Sequence, residues 1–344
     1  MANTLKIGIA GDPHCEIMHD GTARMKKFLA ASKKHGADFI IHLGDMTYPN
    51  DKSKIQVPEE QMPENILAAY KTPGSKDYEE CVRLFNSFEK PSYHVLGNHE
   101  FDFHSPESVM KLYGVPSTYY SFHTGGWHFI VIDTNYIKED DGSFRHFDRG
   151  SQYYVKYENF HDGRNFYKKI GHLPKEELDW LRDELKNSRE PVIIFSHYPL
   201  YPCHFSIKNV PEFEAVIREA QEGGSDIRML ISGHAHWDEM TVWNGILCHT
   251  MNSMSNFYAG EKYAAKRFSD EIEKENTSLK FIFPYKNAVF YMATISDEGI
   301  EVKGTSSRFV PPTPLSLGVK NKMLRAHAAS YKLTWADVKS GKIK

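Results

Sequence analysis

Ser232-Gly233-His234-Ala235-His236 directly follows the apolar run Ile227–Ile231. Read as a strand that ends in Gly-His-x-His, this stretch presents two imidazoles to one point just past the last strand residue. The glycine brings the backbone in close. Imidazole is the commonest side-chain metal ligand, so the pair points to a metal site. The chain has eighteen histidines, and one His-x-His among them proves little. What decides the fold is whether ligand-type residues stand at the ends of other strands.

They do. Leu5–Ala10 reads as a buried strand that ends at Gly11-Asp12-Pro13-His14. Asp38–Leu43 reads as a second, ending in Gly44-Asp45, and Ser92–Leu96 as a third, ending in Gly97-Asn98-His99-Glu100. Pro191–Phe195 delivers Ser196-His197. Apolar residues at helical spacing predict helices over Thr22–His35, Asp77–Lys90, Pro174–Asn187 and Glu212–Glu222. Tyr119–Phe122 and Trp127–Asp133 flank Thr124-Gly125-Gly126 and read as a hairpin. Short alternating runs at Met240–Trp243, Ile246–His249, Val289–Ile295 and Ile300–Val302 predict antiparallel strands. Segments 46–76, 137–172 and 258–285 are polar or charged, lack a clear period and read as insertions. His42 and His94, inside strands, read as satisfied core histidines, and Trp127 and Trp180 as core.

The 344 residues, 40% of them hydrophobic, suffice for a large core. A net charge of −3 gives no electrostatic reason to expect a nucleic-acid duplex or a membrane as partner. No apolar run approaches the roughly 18 residues of a membrane helix. Met1–Leu5 lacks a secretory apolar region, and the four cysteines lack Cys-x-x-Cys spacing. Together these predict a cytoplasmic protein with reduced thiols. The expected organisation is one domain over 1–305 and a Pro-rich, basic, weakly helical tail over 306–344. That tail would pack on the domain or on a partner subunit, which leaves room for a homo-oligomer.

In order and type, Asp12-x-His14, Gly44-Asp45, Gly97-Asn98-His99-Glu100, His197 and Gly233-His234-x-His236 resemble the motif set of the calcineurin-like metallophosphoesterase superfamily. The resemblance implies an α/β fold of two mixed sheets packed face to face with helices outside, a four-layer αββα sandwich. It implies hydrolysis of a phosphate ester by in-line attack of a hydroxide that bridges two metal ions. Asp45 would bridge the ions; Asp12, His14 and His236 would complete one, and Asn98, His197 and His234 the other. Such mixed N/O ligation fits Mn, Fe, Zn or Co better than Ca or Mg. His99 would hydrogen-bond a phosphoryl oxygen and protonate the leaving group, a role suited to a pKa near neutrality. Nothing in the residue types assigns a role to Glu100.

Gly44-Asp45-Met46-Thr47-Tyr48 also fits the Gly-Asp-x-x-Tyr of purple acid phosphatases, whose tyrosine ligates ferric iron. Those enzymes have glycine where His14 stands, so Tyr48 reads here as a neighbour of the site rather than a ligand. Protein Ser/Thr phosphatases follow Gly-Asp with Asp-Arg-Gly, whose arginine grips a monoester; here Met46-Thr47-Tyr48-Pro49 follows. That difference tilts the expectation toward phosphodiesters or nucleotide-type substrates, as in cyclic-nucleotide and nucleotide-diphosphate hydrolases. The first alternative is a phosphomonoesterase acting on a small molecule or phosphoprotein. The second is a scaffold that keeps the fold and binds metal without catalysis. Such a scaffold should have lost ligands, and none is missing.

Overall fold

A computed structural model describes residues 4–47, 77–101, 104–147 and 170–343. Tyr48 and the greater part of the first two expected insertions lie outside the described residues. In chain order the strands are β1 (Leu5–Ala10), β2 (Phe39–Leu43), β3 (Ser92–Val95), β4 (Tyr120–Thr124), β5 (Trp127–Ile132), β6 (Tyr136–Lys138), β7 (Phe144–His146) and β8 (Ile170–His172). They continue with β9 (Val192–Ser196), β10 (Ile227–Ser232), β11 (Glu239–Trp243), β12 (Ile246–Thr250), β13 (Asn256–Tyr258), β14 (Ile282–Pro284), β15 (Tyr291–Ile295), β16 (Gly299–Gly304) and β17 (Tyr331–Thr334). The helices are α1 (Gly21–His35), α2 (Asp77–Asn86), α3 (Pro106–Tyr113), α4 (Lys175–Asn187), α5 (Val210–Glu222), α6 (Asp270–Glu275) and α7 (Trp335–Lys339).

Two mixed six-stranded sheets carry the fold, in the orders β17-β16-β15-β1-β2-β3 and β11-β12-β10-β9-β5-β4. The alternation of side chains along each strand sorts them into two apolar layers. Ile7 and Ile9 of β1, Phe39 and Ile41 of β2, Phe129 and Val131 of β5, Ile193 and Phe195 of β9 and Met229 and Ile231 of β10 share one buried cluster. This is the interior between the sheets. Their neighbours in sequence, among them Ile40, Ile130, Ile194 and Leu230, belong to another cluster with Met25, Phe28 and Phe85 of α1 and α2 and Leu181, Leu185 and Phe213 of α4 and α5. So the strands are buried on both faces, and the four-layer αββα sandwich follows from a period of two.

The expected insertions hold more order than their sequence suggests. The described ends of the second form a three-stranded sheet, β7-β6-β8, and the third is closed by the antiparallel pairing of β13 with β14. The tail also differs from its weakly helical reading. Its β17 extends the first sheet by pairing with β16, and the Trp335 ring sits 5.9 Å from that of Trp127. Trp127 is fully buried, whereas Trp180 is only half-buried, against Tyr119. None of the four cysteines forms a disulfide.

Candidate metal centre

Strands β1, β2 and β3 run parallel, as do β5, β9, β10 and β12, so the carboxyl ends within each set face one way. Both sets end at one rim of the sandwich, where loops of open α/β sheets place their ligands. There Asp45 of the first sheet stands 3.2 Å from His197 Nε2 of the second, and the His234 N–H donates to Asp12 Oδ1 at 3.0 Å. Two glycines permit this approach. A Cβ on Gly233 would meet Asp12 Oδ2 at 2.5 Å, and one on Gly97 would meet the Asp45 nitrogen at 2.5 Å. The turns are also strained: Asp12, His14, Asp45, His234 and His236 all have positive φ, between 39° and 67°. Each such non-glycine residue costs roughly 1–2 kcal/mol.

All seven expected ligands come together. The donor atoms of Asp12, His14, Asp45 and His236 lie within 4.8 Å of one another, as do those of Asp45, His197 and His234. Asp45 is common to both groups. Asn98 joins the second, with its Oδ1 3.2 Å from His197 Nε2.

The backbone fixes which nitrogen of each ring faces inward. His14 Nδ1 lies 3.0 Å from the Thr47 carbonyl, His197 Nδ1 2.8 Å from that of Leu43, and His236 Nδ1 2.6 Å from that of Asn256. A carbonyl only accepts, so each Nδ1 carries the hydrogen, and each ring, when neutral, turns a lone pair inward through Nε2. The consequence is sharp at His14 and His236, whose Nε2 atoms face each other at 3.2 Å. Two lone pairs so close repel unless a cation lies between them, and imidazole nitrogens about 2.1 Å from one ion have about this spacing. The donor set therefore fits a metal ion.

Burial holds His14 well below the usual imidazole range, with His236 and His99 adding to the effect against Asp45. His234 is likewise held low by burial and by His197. At His197 burial pulls the same way, but the Asp45 carboxylate wins and lifts it to about 9. Burial would raise Asp45, yet His197 and His99 hold it well below the ordinary carboxylate range.

Glu100, whose residue type assigned it no role, clamps two ligand loops together. Its carboxylate accepts the backbone N–H of Asp45 (2.9 Å), Met46 (2.6 Å) and Gly97 (2.7 Å), and the Tyr113 hydroxyl (2.9 Å). Burial, and then the Asp45 charge, push Glu100 up to about 7. Behind the same loop runs a chain of neutral imidazoles. Gly44 N–H donates to His42 Nδ1 at 3.2 Å, which leaves His42 Nε2–H to donate to His94 Nδ1 (2.8 Å) and His94 Nε2–H to the side-chain Oδ1 of Asn86 (2.7 Å). Both histidines are satisfied core residues, as their place in strands predicts.

His99 is nearly buried, and its backbone N–H donates to Asp45 Oδ1 at 2.9 Å. It lines a cavity of about 330 Å³ that also touches Asp45, Asn98, His234 and His236. Tyr258, which the motifs do not reach, lines it too, with its hydroxyl 3.5 Å from His99 Nε2. No sequence signal marked Tyr258 or the carbonyls of Thr47 and Asn256, because backbone acceptors have no side-chain signature.

Comparison with known proteins bears on the fold and the family. A protein described as a probable cyclic nucleotide phosphodiesterase from Rhodococcus erythropolis is 32% identical over 78 residues, 22% of this chain and 26% of that relative. The match thus spans about a quarter of the relative's length. A solved dimetal phosphatase from Danio rerio has a similar fold, with a TM-score of 0.57 at 15% identity, covering 89% of this chain and 98% of its own. A structure of PhoD gives a TM-score of 0.50 at 14% identity, covering 96% and 68%. The family model of the calcineurin-like phosphoesterases matches residues 5–238, from the first strand through both imidazoles of Gly-His-x-His. On that match, the chain belongs to the calcineurin-like phosphoesterase family.

Proposed function

We propose that the protein hydrolyses a phosphate ester at the Asp45-centred rim. Asp12, His14 and His236 would hold one cation there, Asn98, His197 and His234 a second, and Asp45 would serve both. The observation that carries this reading is the carboxylate common to two otherwise separate ligand groups. Two such cations, of Mn, Fe, Zn or Co type, would draw charge off the phosphoryl oxygens and bring the pKa of a water near neutrality. Asn98 contributes a neutral oxygen, which limits the negative charge that meets an anionic ester. His99 lines the cavity beside Asp45, where it would hydrogen-bond a phosphoryl oxygen and donate a proton to the leaving-group oxygen as its bond to phosphorus breaks.

Phosphodiester or nucleotide-type esters are favoured over monoesters. No arginine lines the cavity among the described residues, so nothing there offers the two-pronged grip that a dianionic monoester rewards. The test is to strip the protein with chelator, reload it with each metal in turn, and assay mono- and diesters that share a p-nitrophenolate leaving group. Turnover should require metal and favour the diester. Absence of turnover with every metal would sink the hydrolase reading, and a clear monoester preference would overturn the diester assignment alone.

A further inference from the structure

The side of the cavity away from the ligand groups is built by segments outside the two sheets. Ile17, in the turn after β1, packs with Ile282 in a small apolar cluster of its own. The β13–β14 pairing sets Tyr258 directly opposite Ile282, and Phe281 is 3% exposed beside it. On the other flank the Phe205 ring stands 5.9 Å from that of His234 and 5.0 Å from that of Trp237, which stacks at 6.1 Å with Phe257. Against this wall, Lys208 is the one lysine or arginine of the described lining, and it is exposed. A flat apolar group would leave water for the half-buried aromatic surface of Phe205, Phe257 and Tyr258.

We propose that this wall selects phosphate esters whose organic group is an apolar ring, aryl or heteroaryl, seated against the half-buried rings of Phe205, Phe257 and Tyr258. The inference rests on the phosphoesterase reading above and adds the substrate's chemical class. Phenylphosphonate and methylphosphonate test it, since each carries one phosphorus group and differs only in the group that would meet the wall. Their binding to the metal-loaded, full-length protein is read by inhibition of p-nitrophenyl ester turnover and by thermal shift.

Phenylphosphonate should bind about 10–100-fold more tightly, the scale of burying one ring's apolar area. Phe205→Ala and Phe257→Ala should each lower that ratio several-fold. Both side chains are half-buried, so neither substitution empties the core. A ratio near one, or a ratio unmoved by both substitutions, would overturn the inference while methylphosphonate binding left the phosphoesterase reading in place. If the loaded protein bound neither phosphonate, both would fall.

Discussion

Replacing Glu100 by glutamine keeps the side chain's shape and exchanges one oxygen for an amide NH2. Oε2 serves the N–H groups of Asp45 and Gly97, while Oε1 serves the N–H of Met46 and the hydroxyl of Tyr113. With the amide oxygen at the Oε2 position, Asp45 and Gly97 keep their acceptor. The new NH2 then faces the Met46 N–H, while the Tyr113 hydroxyl can turn to accept. One buried backbone donor, the Met46 N–H, loses its acceptor, at about 1–3 kcal/mol. The opposite orientation would strand two backbone donors, so the first is the one adopted, and Glu100→Gln should lower the unfolding free energy by about 1–3 kcal/mol. Asp45 serves both ligand groups, so affinity for both ions should weaken together, by about 10–100-fold, as when a ligand loses its supporting contact. Urea unfolding of the chelated protein reads the first quantity and titration with a single metal the second. Unchanged stability with unchanged affinities would refute the clamp. Loss of only one ion would refute Asp45 as their common support.

Asp45→Asn should cut metal content at both positions, and Asp12→Asn mainly at one; two full equivalents by elemental analysis in the first variant would remove the bridging assignment. His99→Asn should slow hydrolysis of an alkyl ester by about 10²–10⁴ with the metals still bound, and of a p-nitrophenyl ester clearly less, because that leaving group needs little protonation. Equal losses would leave His99 an orienting group only. Burial, the largest influence, takes His42 from 6.5 down to about 3, so below pH 6.5 the unfolded chain binds a proton that the folded one refuses. Its contribution to stability is complete above that pH and is lost as pH falls toward 3, bounded at roughly 5 kcal/mol. His42→Gln should flatten the decline between pH 6.5 and pH 4 in urea unfolding, and a parallel decline in both proteins would contradict the depressed imidazole.

Much of this architecture is written in short-range patterns. β1, β2, β9 and β10 show as apolar runs because both faces are buried, and the ligands show because each stands just past such a run. The clamp was hidden although Glu100 was in plain view, since its partners are backbone N–H groups brought together by two glycine turns. Tyr258 was hidden because it enters on a strand beyond the last motif. The edge strand β17 was masked by its shortness: only Tyr331 and Leu333 turn inward, Lys332 and Thr334 face out, and its pairing with β16 needs backbone alone. The tail's real constraint is equally silent, with the Asn252 amide bonded to the carbonyls of Arg325 and His327 and the Ala329 N–H to Asp238.

The left-handed turns at Asp12, His14, Asp45, His234 and His236 have an outcome in time as well as in shape. Together they hold on the order of 5–10 kcal/mol of backbone strain at one rim. Without cations that energy pulls the loops toward local opening; with cations, opening must first release the ions. The rim should then act as a loading gauge, readable by hydrogen exchange. Amides of residues 11–14 and 233–236 should exchange much faster in the chelated protein, while those of the β5 and β9 interiors hardly change. A newly made chain would stay pliant at its working end until metal arrives and stiffen there afterwards.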